Sequence, residues 1–144
     1  MLIIIIVAEA GIIYVLGRSN MGNKIMYKKM DHYFNLMNLW LDRKIRGQSV
    51  IDSLKLKGYH EIAIYGMSKM GKCLYEELSK SGCKIVFVTD QKEMNAYDCY
   101  ISPNSELPNV DVMIVTVISE YLKIKEEMHK RVNCPIISLE ELLY

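Results

Sequence analysis

From residue 61 onward, short runs of consecutive apolar and β-branched residues alternate with segments of helical periodicity. Unbroken apolar runs of this length are typical of strands that are buried on both faces, as in a parallel sheet. Their alternation with helices predicts a doubly wound α/β domain with five mostly parallel strands. The predicted strands are residues 61–65, 84–89, 97–101, 111–117 and 135–138.

Helical patterns occupy the intervals, at residues 69–81, 119–132 and 139–143. Before the first strand, residues 22–46 carry a helical stripe and residues 50–57 form a short predicted helix. The stripe is apolar and aromatic, which is typical of a packing surface and also fits a homodimer contact. Its members are Met26, Met30, Tyr33, Met37, Trp40, Leu41 and Ile45.

A glycine-containing turn lies between the first predicted strand and the helix that follows it. Gly66 allows a tight turn off the strand, and Gly71 allows the helix to pack close to the sheet. Asp90 follows Gly66 by 24 residues, at the end of the second predicted strand. The turn reads Gly66, Met67, Ser68, Lys69, Met70, Gly71.

Strand, glycine turn, helix, strand and acid are the arrangement of a dinucleotide site. The N–H groups that begin the helix would face a pyrophosphate, and Asp90 would accept hydrogen bonds from ribose hydroxyls. We expect NAD or NADP, with NAD favoured because a carboxylate repels a 2′-phosphate, or a nucleotide-sugar. Thr116 and Val117, at the end of strand 111–117, would line the crevice. Ser68 replaces the middle glycine of the motif, where a side chain crowds the pyrophosphate.

Two further motifs compete with this interpretation. Gly66 to Lys72 also matches the start of a P-loop, but Cys73 stands where a hydroxyl would hold magnesium. The Tyr-x-x-x-Lys pattern of short-chain dehydrogenases occurs twice, ending at Lys69 and at Lys125. Two matches are close to chance in a chain with this many tyrosines and lysines, so we treat both as noise and assign no catalytic residue.

The first 17 residues are strongly apolar apart from Glu9. They predict a short membrane anchor, a packed strand or helix, or an extension upstream of a start at Met21. We therefore divide the chain into an apolar segment at 1–20, a helical lead-in at 21–58 and a ligand-binding domain at 59–144.

The charge balance and the cysteine pattern limit the kinds of partner and metal site that this chain is expected to have. The 18 basic and 17 acidic residues give a net charge of +1, which argues against a nucleic-acid partner. The four cysteines show no CxxC pair and predict free, buried thiols and no metal site. We expect a cytoplasmic protein, associated with a membrane if residues 1–17 insert.

Short motifs from about Met26 onward carry a resemblance to known proteins. They are Gly58-Tyr59, Ile62–Gly66, Gly71, Leu74–Leu78, Leu107-Pro108, Asp111–Thr116 and Ile137–Leu142. On these residues the chain resembles small Rossmann-like NAD(P)-binding modules of bacterial capsule and cell-surface polysaccharide biosynthesis, which occur alone or attached to glycosyltransferases. The pattern is also similar to the nucleotide-sugar-binding module of bacterial sugar acyltransferases.

The resemblance implies a nucleotide-type ligand and a surface-polysaccharide context. Our first hypothesis is a binding module for NAD(P) or a nucleotide-sugar. A second is a non-catalytic scaffold that docks on a glycosyltransferase or dimerises through helix 22–46. A third is an epimerase or reductase, for which the chain after Asp111 is short.

Overall fold

A computed structural model describes the backbone of residues 2–94 and 96–144, and the side chains of residues 17, 21–94 and 96–144. After two helices come four strands and three further helices, and the described residues between the second and third strands form no helix; the predicted α/β class is confirmed. The elements are α1 (Leu2–Ile45), α2 (Val50–Leu56), β1 (Glu61–Tyr65), α3 (Lys69–Ser79), β2 (Lys84–Thr89), β3 (Val112–Val115), a 3-10 turn (Ile118–Glu120), α4 (Tyr121–Met128), β4 (Ile136–Ser138) and α5 (Leu139–Leu143).

The strands form one parallel sheet in the order β2-β1-β3-β4, which confirms the predicted parallel pairing. The described residues form four strands rather than five. Segment 97–101, the predicted third strand, contributes a single parallel bridge between Tyr100 and Val88. The Tyr100 N–H donates instead to the Tyr97 carbonyl at 3.0 Å, so part of this backbone is satisfied by a local turn.

Strand β3 is shorter than the predicted 111–117, although the backbone N–H groups of Asp111 and Thr116 still donate to carbonyls of β1 at 2.8 and 2.9 Å. At the start, the Asp111 carboxylate accepts the N–H groups of His60 and Glu61 at 2.7 and 2.8 Å. At the end, the Thr116 hydroxyl donates to the Gly66 carbonyl. These side-chain contacts also tie both ends of β3 to β1 and to the residues that flank it.

Helices cover both faces of the sheet. Met128 of α4 lies in a buried cluster with Tyr65 of β1. Ile64 points to the opposite face of β1 and is fully buried, and helix α3, which contacts β1 and β2, buries Leu74. Parallel crossovers are right-handed, and β2 and β4 lie on opposite sides of the β1–β3 pair. The two crossover helices therefore cover opposite faces.

The predicted helices are found with altered ends. The helix expected at 119–132 is a 3-10 turn followed by the shorter α4, and α3 ends two residues before the predicted limit of 81. Helix 22–46 is the second half of α1. Its stripe is divided: Trp40 is buried, whereas Met30 and Met37 are exposed. The stripe is therefore not one continuous packing surface.

The chain divides into two compact units, Met1–Leu39 and Trp40–Tyr144. The described part of the first unit is helix α1 alone, and the second unit contains the sheet. The predicted boundaries after residues 20 and 58 remain predictions.

The N-terminal segment belongs to α1 from Leu2 onward, so a strand in this segment is wrong. The side chains of residues 1–16 lie outside the described residues. A membrane anchor, a packed helix and an extension upstream of Met21 stay predictions for residues 1–17. Where side chains are described, no helix combines the length and apolarity needed to cross a membrane.

Candidate functional site

The turn between β1 and α3 is tightly packed around its two glycines. Gly66 adopts a φ of +95°, which favours glycine, and a Cβ there would lie 2.9 Å from the Thr116 hydroxyl oxygen and collide with Val117. A Cβ on Gly71 would collide with the Gly66 carbonyl oxygen. The first turn of α3 therefore rests directly on the backbone of the strand end, as the sequence predicts.

The peptide between Gly66 and Met67 is held from both sides. Its carbonyl accepts a hydrogen bond from the Thr116 hydroxyl at 2.5 Å. Its N–H donates to the Asp90 carboxylate at 2.6 Å, a charge-assisted contact. Thr116 follows β3 and Asp90 follows β2, the two strands that flank β1. We call this arrangement the peptide clamp.

The start of α3 carries no side-chain cap. Ser49 of α2 and Ser138 of α5 each form a full capping box with an acidic residue three positions on. Ser68 is the N-cap of α3, but among the described residues its hydroxyl accepts no hydrogen bond from the N–H groups of the first helical turn. The first N–H groups of any α-helix lack intrahelical acceptors, so those of α3 are left for solvent or a ligand. Ser68 and Lys69 are exposed beside them.

Asp90 has structural partners that sequence reasoning missed. One carboxylate oxygen accepts the Met67 N–H and the other accepts the Lys92 N–H at 3.0 Å. The second contact is an Asx turn, which an Asp directly after a strand could have signalled. Each oxygen has a second lone pair, so the carboxylate keeps the capacity to accept ribose hydroxyls.

The predicted site residues fall into three groups. Gly66, Gly71, Asp90, Thr116 and Val117 meet at the turn. Ser68 and Lys69 lie exposed at its rim. Met67 and Met70 are buried in the core, so they offer only backbone to a ligand. Thr116 is also fully buried, and its hydroxyl is engaged by the clamp.

A crevice of about 610 Å³ lies beside Tyr65, the last residue of β1, and sequence reasoning missed it. Gln91 and Asn104 line it from the loop between β2 and β3, and Glu127 and Arg131 line it from α4 and the segment after it. Burial raises the pKa of the Tyr65 phenol, and the nearby Glu127 and Asp90 carboxylates act in the same direction. The volume falls in the range of small-molecule sites. Its loop walls come together only in the folded chain.

The Tyr-x-x-x-Lys pair at the start of α4 has a structural role. The Tyr121 hydroxyl donates to the Ile136 carbonyl at 3.0 Å and accepts from the Lys125 ammonium at 3.0 Å. Burial raises the pKa of Tyr121, and Lys125 opposes that shift. The phenol proton is therefore donated to the backbone of β4.

The four thiols are free, as expected, but only Cys134 is buried; Cys73, Cys83 and Cys99 are half-buried. Among the side chains that the structure describes, no group of three or more His, Cys, Asp or Glu is placed to hold a metal ion. No family model matches the chain, and no curated protein or solved structure matches it either. The family resemblance therefore remains an expectation.

Proposed function

We propose that the unit Trp40–Tyr144 is a Rossmann-like module that binds a nucleotide-type ligand at the carboxyl edge of its sheet. The candidates are NAD, NADP and a nucleotide-sugar. The peptide clamp carries this proposal. It holds the glycine turn between the ends of β2 and β3. The uncapped N-terminus of α3 then faces a ligand at the carboxyl edge of the sheet.

The strand order supports the Rossmann-like part of the proposal. The bridge between Val88 and Tyr100 sets segment 97–101 beside β2. Counting that segment third along the chain, the sheet order becomes 3-2-1-4-5. This is the order of doubly wound dinucleotide-binding sheets, whose ligands lie where the order reverses. Here the reversal is between β1 and β3, at the peptide clamp.

The chemistry of the rim suits phosphate. Lys69 is exposed at the first helical position, and the Ser68 hydroxyl is free of the capping role that Ser49 and Ser138 perform. A phosphate at the helix start would accept the N–H groups and receive a further hydrogen bond from that hydroxyl. Ser68 leaves less space for the phosphate than the middle glycine of the motif, but its hydroxyl offers the phosphate an additional hydrogen bond.

Asp90 supports a ribose with a free 2′-hydroxyl, because its unused lone pairs accept hydroxyl protons and its charge repels a 2′-phosphate. The Tyr65 crevice supplies volume for a further part of the ligand, since Gln91 adjoins Asp90 and Tyr65 adjoins Gly66. The proposal therefore ranks NAD above NADP.

Thermal-shift and calorimetric titration with NAD, NADP, UDP-sugars, ATP and CoA test the proposal. A ligand that binds only the folded state raises the melting temperature as its concentration exceeds Kd. We expect a shift with NAD or a UDP-sugar. The absence of any shift at millimolar concentration of all five classes would contradict nucleotide binding.

The variant Ser68→Asp separates binding from folding. A carboxylate at the helix start should stabilise the free protein by about 0.3–1 kcal/mol, because it complements the helix dipole. The same charge should weaken ligand binding more than about tenfold by opposing a phosphate. Asn133→Asp adds the same charge before β4, at the opposite edge of the sheet, and should leave Kd unchanged. Equal Kd values for the two variants would show that no phosphate group binds beside Ser68.

The biological context rests on the resemblance. We propose a cytoplasmic module that serves surface-polysaccharide assembly, with a glycosyltransferase as partner; four free thiols are compatible with a reducing compartment. Co-purification with a glycosyltransferase encoded nearby tests the partner. Failure to co-purify would leave nucleotide binding untouched and argue against the docking.

A further inference from the structure

An apolar stripe runs along helix α1 inside the first unit. Tyr27, Met30, Phe34 and Met37 have exposed fractions of 72%, 64%, 64% and 45%. They follow one another at steps of three, four and three residues. That alternation is the a/d spacing of a coiled coil, which keeps successive side chains on one seam. We call these four residues the α1 seam.

The α1 seam has no second element to pack on inside its own unit. The described part of the unit Met1–Leu39 is one helix. Helices in water owe most of their stability to packing of an apolar face, and the seam residues are exposed although Leu36 on the same helix is buried. Four large apolar side chains exposed in a line therefore indicate a surface that another helix covers.

We propose that the α1 seam pairs two copies of this chain as a parallel, in-register coiled coil. The positions that flank the seam decide whether a helix can pair with itself. In such a pair, Met26 of one copy faces Asp31 of the other, and Tyr33 faces Asn38. Asp31 is the one charged residue among these four flanking positions, so self-pairing brings no like charges together.

The lysines of the same segment favour a second helix over a lipid surface. A helix that lies on a membrane places lysines along the border of its apolar face, where they reach the headgroups. Lys28 and Lys29 occupy the b and c positions of the heptad, away from the seam. The border of the seam carries Met26, Asp31, Tyr33 and Asn38, and its one lysine, Lys24, precedes the first seam residue.

Sedimentation of the full 144-residue chain over a range of concentrations tests this pairing. We expect a reversible dimer. Phe34→Glu buries two carboxylates in the central layer and should weaken dimerisation at least roughly thirtyfold, as expected for the loss of an interface anchor. Lys28→Glu makes a larger change of charge off the seam and should leave the dimer intact. Phe34→Ala keeps a strong helix former and should weaken the dimer less, with unchanged circular dichroism.

Oxidation of engineered cysteines tests the register. Identical a or d positions face each other in a parallel pair, close enough for a disulfide. Met30→Cys should yield a covalent dimer beyond the background of the unmodified chain, and Lys28→Cys should not. A monomer at all concentrations, equal cross-linking of both variants, or a monomer that binds anionic vesicles through Phe34 would each overturn the proposal. These readouts do not depend on nucleotide binding.

Discussion

The peptide between Gly66 and Met67 has both of its polar groups occupied by side chains from beyond the two neighbouring strands. Thr116 donates to its carbonyl and Asp90 accepts from its N–H. A buried turn with satisfied backbone is stable, and one that loses a partner must bear the cost of an unpaired polar group. The two side chains therefore fix the direction in which the chain leaves β1.

Thr116→Val should destabilise the protein by about 1–3 kcal/mol, because it removes the hydroxyl that donates to the Gly66 carbonyl in a buried site. Thr116→Ser keeps the donor and should lose less stability. Urea unfolding of both variants measures the difference. If valine proves no more costly than serine, the hydrogen bond does not account for the loss of stability.

Gly71→Ala should also destabilise the protein by about 1–3 kcal/mol, because its Cβ collides with the rigid Gly66 carbonyl. Gly22→Ala is the matched control. It lies in a helix, no atom lies within 4 Å of the added Cβ, and it should be neutral or stabilising. Chemical denaturation distinguishes the two, and a neutral Gly71→Ala would show that the turn yields to accommodate a methyl group.

At the scale of elements, Glu77 connects three helices of the second unit. Its carboxylate accepts from the Trp40 indole at 2.9 Å, the Lys44 ammonium at 2.9 Å and the Val50 N–H at 3.4 Å. Trp40 and Lys44 lie at the end of α1, Val50 begins α2, and Glu77 lies near the end of α3. A single carboxylate, 9% exposed, thus holds the end of α1 and the start of α2 against the helix that forms the site.

Glu77→Ala should cost about 1–3 kcal/mol because the buried indole N–H loses its acceptor. Glu76→Ala, next to it, removes only an exposed ion pair with Lys80 at 3.7 Å and should stay within about 0.5 kcal/mol of the parent. Trp40 is the single tryptophan, so its fluorescence follows the junction directly. An unchanged emission spectrum in Glu77→Ala would argue against this contact.

The apolar pattern of the sequence predicts the strands whose ends depend on nearby residues. Strands β1 and β2 have the predicted bounds, and the second half of each apolar run is buried. Segment 97–101 has a single β-branched residue, Ile101, and lies beyond the edge of β2, where a turn at Tyr97 competes for its backbone. Strand β3 ends where its ladders with β1 and β4 end, and that pairing is a tertiary contact with no signal in a window of neighbouring residues.

The site shows the same division. The two glycines of the turn are predictable because they lie close in sequence, and a side chain on Gly71 would collide with the Gly66 carbonyl. The roles of Asp90 and Thr116 in the clamp depend on which strands are neighbours. The Tyr65 crevice depends on the path of the loop that crosses from β2 to β3. The sequence thus predicts the type of turn and leaves its surroundings to tertiary structure.

At the scale of the whole molecule, two aspartates make the free energy of unfolding depend on pH. Hydrogen bonds from the backbone and side chain of Ser49 lower the pKa of Asp52, and the backbone N–H groups of Glu61 and His60 lower that of Asp111. Each native pKa lies below the unfolded value of about 4, so the stabilisation is complete above that pH. It is lost as the pH falls through the native pKa values.

Asp111→Asn should flatten the acid side of the stability profile, because an amide has no proton to gain in that range. Urea midpoints measured from neutral pH down to acid give the two slopes. The parent should lose stability more steeply than the variant. Identical slopes would mean that the acid sensitivity comes from carboxylates elsewhere in the chain.

The peptide clamp also provides a spectroscopic probe. A short, charge-assisted hydrogen bond moves an amide proton downfield and slows its exchange with water, so the Met67 N–H should be distinct in a proton–nitrogen spectrum although it belongs to a turn. Any molecule that shares the Asp90 carboxylate draws charge away from that amide and shifts its resonance. One peak would then report occupancy at this edge without a label and before the chemical identity of the ligand is known.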